Sequence, residues 1–98
     1  MGAHTFYTRA TGADAGEAFR KVVEDAKYHH GHAGYTGTIA EKRSFTRIPD
    51  EEVGDTSPEK YASQLINEQD HRIDDKWGPA GCIHVEDDVY LFFGWASS

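Results

Sequence analysis

Three of the six histidines in this chain fall within four residues, His29-His30-Gly31-His32. Neutral imidazoles suit zinc, copper or nickel. Neighbouring residues on a helix project about 100° apart, so His29 and His30 cannot both face one ion, whereas His30 and His32 can, across Gly31. A metal centre would need a further group from elsewhere. Glu41 is a candidate as third ligand or general base, alongside His4, His71 and His84. The competing reading is simpler: histidines closing a helix are stabilised there as cations by the negative end of the helix dipole. On that reading no cofactor is expected, and a divalent metal is the alternative.

The histidines run into a glycine loop, GHAGYTG, with Gly31, Gly34 and Gly37 three apart. Such spacing lets backbone approach another group closely. Phosphate cradles normally run strand, loop, helix, so that a positive helix end meets the anion. Here the order is helix, loop, strand, and the nearby dipole end is negative. A nucleotide signal would have to be held by loop N–H groups with Tyr35 stacked on its base. The alternative is a tight connection with Tyr35 packed over the glycines.

Other reactive types are less suggestive. Carboxylates cluster at Asp50-Glu51-Glu52, Asp74-Asp75 and Glu86-Asp87-Asp88. Runs of this kind at turns are ordinarily solvated surface. Cys82 and His84 fall on one face of a strand, but a buried structural cysteine is the commoner arrangement. No G-x-S-x-G elbow is present. Trp77, Tyr90, Phe92, Phe93 and Trp95 load the last quarter with aromatics. If one face of the hairpin there meets solvent, Tyr90 and Phe92 form a patch suited to a partner. If both faces are buried, one lies under helices and the other in a homodimer.

These groups need elements to position them. Thr5–Ala10 reads as a strand. Asp14 with Glu17 has capping-box spacing, and Ala15, Ala18, Phe19, Val22, Val23 and Ala26 follow at helical period, which predicts a helix over 14–30. Thr36–Ile48 reads as one long or bent strand with Ile39 and Phe45 on one face. Pro49–Asp55 is an acidic connection. Thr56-Ser57-Pro58-Glu59 starts a second helix over 58–74. Gly81–Glu86 and Val89–Trp95 flank Asp87-Asp88 as a hairpin. The order β-α-β-α-β-β predicts an α+β fold: a mainly antiparallel sheet of about four strands, with two helices on one face.

Ninety-eight residues and 10.9 kDa make a single domain, 1–98, large enough for one core. Seventeen acidic residues against ten basic ones leave a formal charge of -7. This argues against direct nucleic-acid binding, which needs a basic face, and against anionic membranes. It suits association with a basic surface, including mimicry of nucleic-acid charge. Met1–Ala10 lacks the apolar core of a signal peptide, and Cys82 is the only cysteine. A cytoplasmic location is expected.

Residues 18–42 (AFRKVVEDAKYHHGHAGYTGTIAEK), DKWGPAGCIHV and LFFGWASS resemble small uncharacterised proteins of bacteria and their phages. The resemblance implies a mobile-element context, in which small acidic proteins act stoichiometrically, for example by inhibiting host defence systems. It carries no residue roles. The expected function is therefore a small acidic binding protein, acting without turnover on a host protein or a small ligand. His30, His32, Gly34, Tyr35, Gly37, Trp77, Tyr90 and Phe92 are the expected contact residues. The alternatives are a small metal-dependent enzyme or metal binder on His30, His32 and Glu41, and a nucleotide-signal binder on Gly31–Gly37.

Overall fold

The computed structural model describes residues 3–30 and 38–97. Strand β1 (Ala3–Thr11) leads through Gly12 into helix α1 (Ala15–His30). A side chain at position 12 would place its Cβ 2.5 Å from Ala18 N, so glycine is what lets the helix begin directly against the strand. The start of α1 is capped reciprocally. Glu17 N donates to Asp14 Oδ1 (2.8 Å), and Ala13 N donates to Glu17 Oε1 (2.9 Å). Ala15, Ala18, Phe19 and Val23 are buried along one stripe of this helix.

A short 3-10 turn, Ile39–Glu41, precedes strand β2 (Phe45–Arg47). Helix α2 is the four residues Asp50–Val53, and helix α3 is Pro58–Asn67. Ser57 Oγ accepts from Lys60 N and Pro58 opens α3, as the sequence predicts. Strands β3 (Ala80–Glu86) and β4 (Val89–Ser97) form the hairpin across Asp87-Asp88. The four strands make one sheet in the order β1-β4-β3-β2. β4 is antiparallel to both β1 and β3, whereas β2 runs parallel to β3. The α+β class and the expected element order hold, with the small α2 added.

The helices differ from expectation in placement. They cover opposite faces of the sheet, not one. Phe6, Cys82, Tyr90, Phe92 and Ala96 pack with Ala18, Phe19 and Val23 of α1. Ile83, Leu91 and Phe93 pack with Ala62, Leu65 and Ile66 of α3. The reason is the run Tyr90-Leu91-Phe92-Phe93: successive strand residues point to opposite faces, so both sides are apolar and each needs its own cover. At Gly81, paired with Phe93, an added Cβ would sit 2.4 Å from the tip of the phenyl ring, so that ring occupies the notch the glycine leaves.

Three segments depart from the sequence reading. Of the strand expected over Thr36–Ile48, the described part, 38–48, is strand only in the three residues of β2, with the 3-10 turn Ile39–Glu41 ahead of it. Ile39, Ala40 and Lys42 are buried there, and the Glu41 and Lys42 N–H groups bond back to the Thr38 and Ile39 carbonyls (3.2 and 2.9 Å), which closes a turn and takes those groups out of any strand ladder. The acidic connection Pro49–Asp55 contains α2. The second helix ends at Asn67 instead of 74: Gln69 takes a left-handed φ of 55°, and a turn brings Ile73 to the core in place of further helix.

Candidate partner-binding surface

Trp77 sits on a turn between α3 and β3 and is 64% exposed. An indole this exposed is unusual, and the bonding of the turn that carries it explains its position. Asp75 caps the turn locally: its Oδ1 accepts from Trp77 N (2.8 Å), and its carbonyl accepts from Gly78 N (2.9 Å). Lys42 reaches under the turn from just beyond the 3-10 turn. Its ammonium donates to the carbonyls of Gly78 (2.9 Å), Lys76 (3.1 Å) and Asp75 (3.5 Å). The residue is only 3% exposed, and its Nζ stands 6.0 Å from the centre of the Phe6 ring. Burial lowers the Lys42 pKa, while the Asp75 and Glu41 carboxylates oppose that shift. Ala80 N then donates to Ser44 O (3.0 Å) and fixes the exit of the turn onto the sheet.

Carbonyls in a turn normally bond to water. Here a buried cation gathers three of them, and the turn is held from inside. Trp77 is thereby presented in a fixed position, with the Lys76 ammonium 5.6 Å from its ring centre and the exposed acids Asp74 and Asp75 beside it in sequence. An aromatic anchor that is already ordered loses less entropy on binding, which is the physical advantage of preorganisation.

A few residues earlier in the chain, Arg72 ties three elements together. Its guanidinium donates to both Glu52 oxygens (3.0 and 2.7 Å) and to both Asp70 oxygens (2.9 and 3.0 Å). Tyr61 donates its hydroxyl proton to Glu52 (2.6 Å). The hydrogen bonds from Arg72 hold the Asp70 carboxyl at about 2, and those from Arg72 and Tyr61 lower Glu52. The arrangement links α2, α3 and the turn before Trp77. All its acceptor and donor groups face each other, so it braces the structure and offers no reactive group.

The remaining expected site residues separate into three groups. His32, Gly34, Tyr35 and Gly37, and the side chain of His30, lie outside the described residues. Tyr90 and Phe92 are not an exposed patch: both are buried beneath α1, and Phe92 makes ring contacts with Phe19 and Phe45 at 5.4 and 5.6 Å. The apolar character that suggested a partner surface is used within the chain. Glu41, the candidate third metal ligand, accepts from Ser97 N (2.8 Å) and braces the end of β4. Among the described residues, no group of three His, Cys, Asp or Glu side chains could hold a metal ion.

Cys82 and His84 do share a face, yet they do not form a nucleophile pair. Burial pushes the Cys82 thiol up to about 12, so the reactive thiolate is suppressed. His84 Nε2 is engaged with the Asp87 carbonyl at 2.7 Å. A cleft of about 310 Å³ lies beside His84 and is lined by Asp50, Val53, Thr56 and Val85. It was not apparent from the sequence, because α2 supplies part of its wall and that helix lay within the expected acidic connection. Among the described residues, no helix is long and apolar enough to cross a membrane. Comparison with protein-family models, with curated proteins and with solved structures returned no match.

Proposed function

We propose that this chain is a small acidic binding protein that acts stoichiometrically on a protein partner, with the Trp77 turn as its contact anchor. The observation that carries the proposal is a tryptophan 64% exposed on a turn held by a buried lysine. The formal charge of -7 supports a partner with a basic rim around an apolar pocket, and would raise the rate of encounter. The resemblance to small proteins of bacteria and phages favours a host protein, for example a component of a defence system. The same reading keeps the protein in the cytoplasm, where a free buried thiol such as Cys82 is ordinary.

The test is affinity capture from a bacterial host lysate with three proteins: wild type, Trp77→Ala and Tyr28→Ala. Tyr28, 86% exposed on α1, serves as a control aromatic elsewhere on the surface. A stoichiometric partner should be retained by wild type and Tyr28→Ala. Trp77→Ala should bind it roughly thirtyfold more weakly, the cost of a hot-spot residue of about 2 kcal/mol. A partner held equally well by all three proteins would dismiss Trp77 as the anchor.

A further inference from the structure

Strand β1 is the outermost strand of the sheet, and among the described residues no strand pairs with its outer side. Its backbone orientation can be read from the ladder. Gly12 N donates to Asp88 O (3.0 Å), continuing the register in which Ala10 faces Tyr90 and Phe6 faces Gly94. In an antiparallel ladder the N–H and C=O of one residue address the same neighbour, and the side addressed alternates along the chain. Even-numbered residues of β1 therefore bond to β4. Ala3, Thr5, Tyr7, Arg9 and Thr11 turn their backbone donors and acceptors outward.

Natural sheets protect such an edge with short strands, prolines, bulges, lysines or inward charges. β1 has none of these. It is nine residues long, contains no proline and pairs with β4 without a register shift. It carries no carboxylate, although seventeen are spread over the rest of the chain. Its one formal charge, Arg9, is neutralised by Glu59 of α3. The acidic surface that would keep two copies apart is missing along this line.

We infer that β1 pairs antiparallel with β1 of a second copy, joining two four-stranded sheets into one across a two-fold axis at Tyr7. The outward residues fit this register with themselves. Tyr7 faces Tyr7 of the second copy, Thr5 faces Arg9, and Ala3 faces Thr11. Each is a hydrogen-bonded pair, because each of these residues points its backbone outward. On the α1 side Phe6 faces Thr8, and His4 faces Ala10. No like charges meet, and Tyr7, 42% exposed in the single chain, gains an aromatic cross-strand neighbour. An isologous contact of this kind closes on itself and uses up both edges, so it stops at two copies.

The inference is independent of Trp77, and sedimentation with light scattering tests it. Wild type is expected at twice 10.9 kDa at micromolar concentration. Tyr7→Lys sets two ammonium groups face to face at the axis and should weaken the dimer roughly fivefold to tenfold. Thr5→Pro removes an outward N–H that the single chain does not use, so it should also yield monomer while the circular dichroism stays unchanged. Tyr7→Cys should form a disulfide-linked dimer on oxidation, whereas Thr8→Cys, which faces Phe6, should not. A monomeric wild type at hundreds of micromolar would overturn the inference. So would a dimer whose dissociation constant is unchanged by both Tyr7→Lys and Thr5→Pro.

Discussion

Lys42 has no counterpart elsewhere in the described structure: a cation below the surface whose three donors are all aimed at one turn. Replacing it with methionine keeps the stem and removes the ammonium. The carbonyls of Asp75, Lys76 and Gly78 would then need water, and the expected loss of stability is about 1–3 kcal/mol, read as a lower denaturant midpoint. The sharper readout is hydrogen exchange. The Trp77 and Gly78 amides, bonded to Asp75, should exchange at least about tenfold faster in Lys42→Met, while amides of β4 stay protected. Equal exchange in both proteins would show that Asp75 alone suffices to order the turn. Asp70 gives a pH signature at the same scale. Its carboxyl is held at about 2 instead of the usual 3.8, chiefly by Arg72. A depressed carboxyl stabilises the fold above its ordinary pKa, and that contribution is lost as protons bind in the folded state. Stability should therefore fall between about pH 4 and pH 2, and Asp70→Asn should flatten that part of the curve while lowering stability at neutral pH.

At the scale of elements, the reciprocal cap of α1 is the clearest local determinant. Asp14→Ala removes the acceptor for Glu17 N and should cost about 1 kcal/mol by thermal or chemical unfolding. That cap, the Ser57-Pro58 start of α3 and the hairpin at Asp87-Asp88 were legible in the sequence because each depends on residues within four positions of one another. The stretch from Thr36 to Ile48 was not. Ile39 and Phe45 are six apart, a spacing a strand satisfies, and both do join the core on the α1 side. What bends the chain between them is the burial of Lys42 against carbonyls more than thirty residues away, for which no local signal exists. The placement of α3 had a signal that was open to reading. Four consecutive apolar residues, Tyr90 to Phe93, mark a strand covered on both sides. The exposed Trp77 was legible from its neighbours, since Gly78-Pro79 forces a turn where an indole has little chance of joining the core.

For the whole molecule, the formal charge of -7 is what would govern the approach to the proposed partner. Asp74 and Asp88 are exposed, and neither side chain takes part in the hydrogen bonds described above, whereas the Asp75 carboxylate caps the turn. Charge reversal at Asp74 and Asp88 together should slow association with a basic partner and flatten its dependence on salt, measured by stopped flow or surface plasmon resonance. An unchanged rate would remove electrostatic steering from the account and leave Trp77 alone. The sheet also has to be assembled in the right alignment, and polarity cannot enforce it. In most half-buried strands a slip of one residue is punished by turning charges inward. β4 would suffer no such penalty, since apolar side chains stand on both of its sides. Its indexing is set by volume instead. The Phe93 ring fills the space left by the missing side chain at Gly81, so the hairpin is keyed like a lock by its ward: bulk at that notch, not hydrophobicity, tells the strands where to stop sliding.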